Sequence, residues 1–118
     1  MDKKELRRQY KENPKPMGVF QVKNGSNGKV FIGSGMDVNG KLNSCKFQLQ
    51  HGSNMNKELQ KDFTSMGEES FSFEILDTLE PEDDPAKDYA DDLEMLLQMW
   101  IEKVQPFDTN GYNKRKQK

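Results

Sequence analysis

The length, composition and charge of this sequence exclude several classes of protein. Its 118 residues predict one domain, no apolar run approaches the roughly 20 residues of a membrane-spanning helix, and the charged first 16 residues lack the apolar core of a signal peptide. One cysteine, Cys45, and one histidine, His51, can form neither an internal disulfide nor a zinc site of Cys/His type, and the lone thiol fits a reducing cytoplasm.

The charges are distributed unevenly along the chain. The formal net charge is −2, yet residues 1–66 carry twelve basic and six acidic side chains, whereas residues 67–102 carry one basic and thirteen acidic. A basic half can approach phosphate, which an acidic half repels. The alternative is a well-solvated surface whose two halves attract each other.

The first predicted elements are a short helix and a β-hairpin. Residues 3–13 predict the helix, which Pro14 and Pro16 end. Residues 17–34 are typical of a hairpin, because β-branched and aromatic residues flank the sequence NGSNG, whose asparagines and glycines tolerate the positive φ of a reversal.

Two helices and a strand are predicted next. Residues 36–40 are turn-rich, and residues 41–50 predict a helix with an apolar stripe. A second helix is expected to be capped by Ser53 or Asn54, with these apolar positions: Met55, Leu59, Phe63 and Met66. Residues 70–76, SFSFEIL, alternate between apolar and polar side chains, which indicates a half-buried strand.

The longest predicted helix starts at Asp84-Pro85 and ends at Pro106. Its apolar residues recur every three or four positions, so we expect it to pack on the sheet. The order of elements predicts an α+β fold: a small three-stranded antiparallel sheet, made of the N-terminal hairpin and one later strand, flanked by helices. We divide the chain into an N-terminal helical extension (1–16), a domain (17–113) and a basic tail (114–118).

Five segments in this order resemble the GIY-YIG endonuclease superfamily, in its small single-domain bacterial type. They are GVF at 18–20 with FIGS at 31–34, NKELQ at 56–60, SFSFEIL at 70–76, WI at 100–101 and NGYN at 110–113. The resemblance covers residues 17–113 and implies a GIY-YIG-like fold. It also implies a metal-dependent phosphodiesterase, in which a tyrosine helps to activate the nucleophile, an arginine clamps phosphate and a glutamate holds Mg²⁺ or Mn²⁺.

The residues at the family's site positions depart from that pattern. Both signature tyrosines are replaced by phenylalanine, the arginine by lysine, two histidines by cysteine and asparagine, and the metal-binding glutamate by leucine, while a late asparagine is kept. In order, these residues are Phe20, Phe31, Lys41, Cys45, Asn54, Leu97 and Asn113. A phenyl ring cannot transfer a proton and leucine cannot bind a cation that requires oxygen, so the sequence predicts a degenerate active site with no cofactor.

Three functions remain open on the sequence. The first is a nuclease-like domain that has lost most or all catalysis and acts as a nucleic-acid-binding or regulatory module. The residues expected to meet the phosphates of DNA or RNA are Lys23, Lys29, Lys41, Lys46, Lys57 and Lys61. The second is an active endonuclease with a rearranged site, in which Glu94, one turn before Leu97, holds Mg²⁺ or Mn²⁺. The third is a protein-interaction domain whose acidic helix, at residues 83–94, meets a basic partner. We expect a cytoplasmic protein with no membrane contact.

Overall fold

The computed structural model describes residues 16–79 and 89–114. These residues form a three-stranded antiparallel sheet of order β2-β1-β3 with three helices, which confirms the predicted α+β fold. The elements are β1 (Met17–Asn24), β2 (Val30–Gly35), α1 (Val38–Gln50), α2 (Lys57–Met66), β3 (Phe71–Leu79) and α3 (Ala90–Val104), with 3₁₀ turns at Glu68–Ser70 and Asp108–Asn110. The helix predicted at 3–13, the loop and helix start at 80–88, and most of the basic tail lie outside the described residues.

The predicted hairpin is present, and its turn is closed by backbone hydrogen bonds. Asn24 N donates to Lys29 O at 2.8 Å, and Gly28 N donates to Asn24 O at 2.8 Å. Gly28 has φ +79°, a left-handed conformation that glycine adopts without steric cost. The turn therefore uses the chemistry that the NGSNG sequence indicated.

The two faces of the sheet carry different helices. Phe20 and Val22 point to one face, where they share a buried cluster with residues of α1 and α2: Val38, Cys45, Leu49, Leu59 and Phe63. Because side chains alternate along a strand, Val19 points to the other face. Its partner in β3 is Asp77, which accepts a hydrogen bond from Trp100 of α3 at 3.2 Å. The sheet thus separates the layer of α1 and α2 from α3.

A buried polar network joins the hairpin to the C-terminal segment and to α2. The hydroxyl of Tyr112 accepts a hydrogen bond from Asn24 Nδ2 at 3.0 Å and donates one to Asp62 Oδ2 at 2.8 Å. Burial raises the pKa of this hydroxyl, and the neighbouring Asp62 raises it further, although the Asn24 amide lowers it. The tyrosine therefore stays protonated and able to donate at neutral pH.

Helix α1 begins earlier than predicted. It starts at Val38 instead of Lys41, because the side chain of Asp37 accepts a hydrogen bond from Gly40 N at 3.1 Å and so caps the first turn. Val38 N also donates to Pro16 O at 2.9 Å, which ties the helix start to the start of β1. The region that looked turn-rich is thus helical after its cap.

Helix α2 does not follow a cap at Ser53 or Asn54 as predicted. The cap is Asn56, whose Oδ1 accepts from Leu59 N at 3.1 Å, while Asn54 Oδ1 accepts from Asn56 N at 2.9 Å in the turn before it. Met55, predicted on the apolar stripe, precedes the helix and is 92% exposed. No helix within the described ranges is long and apolar enough to cross a bilayer.

We expect Tyr112→Phe to lower the free energy of unfolding by about 1–3 kcal/mol, because the buried amide of Asn24 and the carboxylate of Asp62 would lose a shared partner. Urea denaturation followed by circular dichroism measures this change. The control is Ser65→Ala, which removes a hydroxyl from the exposed side of α2 and should change stability by less than about 0.5 kcal/mol. Equal effects of the two substitutions would contradict the structural role of the network.

Candidate functional site

The two phenylalanines of the hairpin form the centre of the site. Phe20 on β1 is 1% exposed, and its ring centroid lies 6.2 Å from that of Phe31 on β2. The carbon of the Phe20 ring that would carry a tyrosine hydroxyl, Cζ, lies 2.6 Å from where a Cβ on Gly33 would stand. Only glycine allows this packing, so the ring is seated against backbone and presents no oxygen.

Lys41 lies beside the end of β2. The Cβ of Lys41 lies 2.8 Å from the position that a Cβ on Gly35 would occupy, so the aliphatic part of the lysine packs on the glycine backbone. The residue as a whole is exposed. A lysine ammonium offers one compact positive charge here, without the planar fork with which arginine binds phosphate. The position can attract phosphate but cannot bind it in a bidentate manner.

Cys45 and Asn54 meet next to Lys41. Asn54 Nδ2 donates to Cys45 Sγ at 3.6 Å and to Gln48 Oε1 at 3.4 Å. Burial raises the pKa of the Cys45 thiol above its usual value, and this outweighs the Asn54 amide and the charge of Lys41, which both lower it. The thiol is therefore a buried, protonated group and a poor nucleophile.

Asn113 binds the backbone of β2 through both ends of its amide. Its Oδ1 accepts from Ile32 N at 2.8 Å, and its Nδ2 donates to Ile32 O at 2.8 Å. Next to it, Tyr112 N donates to Val30 O at 2.9 Å, and Gly111 forms a parallel bridge with Val30. Residues 111–113 thus cover the outer edge of β2, and both the oxygen and the nitrogen of the Asn113 amide take part in that contact.

Leu97 lies half-buried on α3, which packs on the other face of the sheet from Phe20. Leucine offers no donor to a cation, and Glu94, one turn before it, accepts from Gln98 Nε2 at 2.9 Å on the exposed side of the helix. Within residues 16–79 and 89–114, no three His, Cys, Asp or Glu side chains are grouped so that they could hold a metal ion. The donor set therefore does not fit the divalent cation that the resemblance implies.

The six lysines proposed to meet phosphate differ in their surroundings. Lys29 forms an ion pair with Glu58 at 2.5 Å, which raises the pKa of Lys29, and Lys46 lies 3.8 Å from Glu68. The other four are exposed and have no ion pair with any described residue: Lys23, Lys41, Lys57 and Lys61. The structure thus brings together Phe20, Phe31, Lys41, Cys45 and Asn54 on one side of the sheet, but does not add Leu97 to them.

Sequence reasoning missed the aromatic pair on the outside of α1. Phe47 is 59% exposed, and its ring stacks on His51 with 4.0 Å between centroids. The available signal was that Phe47 lies off the apolar stripe of a helix whose buried residues are Val38, Cys45 and Leu49. Of the acidic stretch 83–94, residues 83–88 lie outside the described part, and Asp91 and Asp92 stand in the first turn of α3.

Two solved structures resemble this chain in fold and sequence. One is the catalytic domain of the homing endonuclease I-TevI, with a TM-score of 0.66 and 28% identity over 85% of this chain and 99% of that one. The other is a single-residue mutant of the catalytic domain of the intron endonuclease I-TevI, with a TM-score of 0.66 and 28% identity over 83% and 92% of the two chains. No protein-family profile and no curated protein matches the chain.

We expect Asn113→Asp to destabilise the fold by about 1–3 kcal/mol, since a carboxylate can accept from Ile32 N but cannot donate to Ile32 O. Thermal unfolding measures the effect. The matched control is Asn110→Asp, the same change at an exposed position three residues away, which should be near neutral. A stability of Asn113→Asp equal to that of the wild type would show that the contact does not hold β2.

The buried thiol of Cys45 should react with a disulfide reagent such as dithionitrobenzoate at least about tenfold more slowly than an exposed thiol at pH ~8, because burial keeps it protonated and covered. The comparison is the double variant Cys45→Ser/Ser44→Cys, which moves the thiol to the exposed neighbouring position. Absorbance of the released thiolate gives both rates. Equal rates in the folded proteins would identify Cys45 as an accessible thiol.

Proposed function

We propose that this chain, whose fold resembles the catalytic domain of the homing endonuclease I-TevI, is a GIY-YIG nuclease-like domain that binds DNA without hydrolysing it. The observation that carries this proposal is the burial of Phe20 against Gly33 at the centre of the site. A ring in that place contributes to the core and supplies no group that takes or gives a proton. We also propose a cytoplasmic location, which suits the single free thiol.

Hydrolysis of a phosphodiester needs several groups at once. An oxygen nucleophile must be activated, the charge developing on phosphorus must be stabilised, and in this family a cation contributes to both tasks. The corresponding positions here offer the phenyl rings of Phe20 and Phe31, the ammonium of Lys41 and the leucine side chain of Leu97. When catalytic groups act together, removal of any one of them abolishes most of the rate enhancement. The replacement of several such groups here supports a loss of cleavage.

DNA binding is supported by the distribution of charge about the sheet. Helix α1 carries Lys41 and Lys46 and no acidic residue, so its net charge is positive. Helix α2 is neutral, because it carries two basic and two acidic residues: Lys57, Lys61, Glu58 and Asp62. Helix α3, on the other face, carries the acidic side chains Asp91, Asp92, Glu94 and Glu102. A polyanion is attracted to the first face and repelled by the second, which gives the domain one direction of approach.

A salt titration of binding tests the proposal. A fluorescently labelled duplex is titrated with the protein, and anisotropy is followed over a range of salt concentrations. Binding should weaken steeply with salt, and Lys41→Gln/Lys57→Gln should lower the slope of log K against log salt by about 1–2, since each phosphate contact contributes about 0.9. The matched control is Lys103→Gln, whose ammonium lies 4.9 Å from the Trp100 ring on α3 and should leave the slope unchanged.

A cleavage assay with Mg²⁺ or Mn²⁺ accompanies the titration. We expect no product from the bound duplex with either metal. Product that disappears in Glu94→Gln would overturn the loss of catalysis in favour of an endonuclease with a rearranged site. No binding at low salt would refute the DNA-binding proposal itself, and a role of the acidic α3 surface in contacting a basic protein would then take precedence.

A further inference from the structure

Phe47 is an aromatic side chain that the fold does not use. It lies two residues from both Cys45 and Leu49 and nine residues from Val38, the buried residues of α1, and therefore about 160–200° around the helix from the core. Its ring is 59% exposed, and it takes no part in the buried cluster around Phe20. Large exposed aromatic rings are more typical of binding surfaces than of a solvated helix face.

The ring of His51 supports Phe47 in one orientation. The two ring planes are inclined by 28° with centroids 4.0 Å apart, which is a stacked geometry. Nδ1 of His51 lies 2.9 Å from Phe47 O, and because a carbonyl oxygen only accepts, the histidine tautomer here donates from Nδ1. The histidine is thus held at the end of α1, and the pair forms an ordered two-ring stack whose outer surface faces solvent.

Positive charge lies on both sides of this stack. Lys41 and Lys46 flank the outward side of α1, each about 100–120° around the helix from Phe47. Glu68 accepts from Gln50 Nε2 at 2.6 Å and stands 3.8 Å from Lys46 Nζ. The Lys46 ammonium also lies 5.4 Å from the centroid of the Phe73 ring, whereas Lys41 has no ion pair with any described residue. The surface around Phe47 is therefore suited to a partner that carries both flat rings and negative charge.

We propose that the Phe47–His51 pair is a stacking platform for an unpaired base of single-stranded DNA, with Lys41 and Lys46 near its neighbouring phosphates. This inference rests on the proposed DNA-binding function and adds its substrate class. Stacking of a base on an aromatic ring tolerates any base, because every base has a π-face. Bases within a duplex are already stacked on each other, so the platform favours a strand whose bases are free.

Substitutions at Phe47 test the platform by anisotropy with a thymidine oligomer of about 15 nucleotides and with its duplex. Phe47→Ala should weaken binding of the single strand by about tenfold and leave the affinity for the duplex unchanged. Phe47→Leu, which stays apolar but cannot stack, should behave like Phe47→Ala, whereas Phe47→Trp should keep the affinity. The matched control is Met99→Ala, which removes an exposed apolar side chain from α3 and should change neither affinity.

Tryptophan fluorescence provides a second readout. The chain contains one tryptophan, Trp100, which lies on α3 across the sheet from α1. In Phe47→Trp, the added indole should be quenched when the thymidine oligomer stacks on it, whereas the wild-type emission from Trp100 should change little. Binding without quenching would place the strand elsewhere on the protein.

The outcomes separate this inference from the function on which it rests. If Phe47→Ala binds the single strand as tightly as the wild type while Lys41→Gln/Lys57→Gln weakens binding, the platform is refuted and DNA binding stands. If neither the oligomer nor the duplex binds at low salt, the proposed function fails with it. Tighter binding of a uridine RNA oligomer, with the same dependence on Phe47, would overturn the choice of DNA.

Discussion

The contact between residues 111–113 and the outer edge of β2 is the constraint on which the rest of the structure depends. Asn113 holds Ile32 with two hydrogen bonds of 2.8 Å, and Tyr112 reaches across to Asn24 at the turn of the hairpin. Asn56 at the start of α2 donates to Tyr112 O, so the same short segment also fixes that helix. One segment near the end of the chain thus secures the hairpin and a helix that are far apart in sequence.

The sheet also divides the described residues into two surfaces with different chemistry. The layer of α1 and α2 is basic or neutral and carries the exposed ring of Phe47, whereas α3 is acidic. Since the strands between them are packed on both faces, a ligand on one surface meets the charges of that surface at short range and those of the other only at long range. The uneven distribution of charge along the sequence therefore corresponds to two different surfaces of the folded domain.

Three of the positions that correspond to the resembling family's site, Phe20, Cys45 and Asn113, contribute here to the fold. Phe20 is buried in the cluster that joins the sheet to α1 and α2, and Cys45 fills the same cluster as a small apolar side chain. Asn113 keeps its residue type, but its amide is occupied by the backbone of Ile32.

The sequence by itself determined the features that depend on neighbours in the chain. The glycines and asparagines of the turn, the alternation of Phe71 and Phe73 in β3, and the apolar stripe of α3 each follow from local geometry, and together they predicted the fold. Local signals failed at the start of α2. Met55 matched an apolar stripe, yet the helix begins after it, with Asn56 as the cap. The side chain of Asn56 also donates to Tyr112 O, 56 residues away, a contact that local sequence does not indicate.

Only the tertiary structure decided the roles of residues whose partners lie far along the chain. Lys29, one of the lysines predicted to meet phosphate, lies beside Glu58 in the folded hairpin. Phe47 lies outside the core because α1 turns its other side to the sheet. No sequence pattern indicates the Lys29–Glu58 contact or the exposure of Phe47, since both depend on how separate elements pack in space. Sequence periodicity defines which side of an element is apolar, and packing decides what the remaining side chains meet.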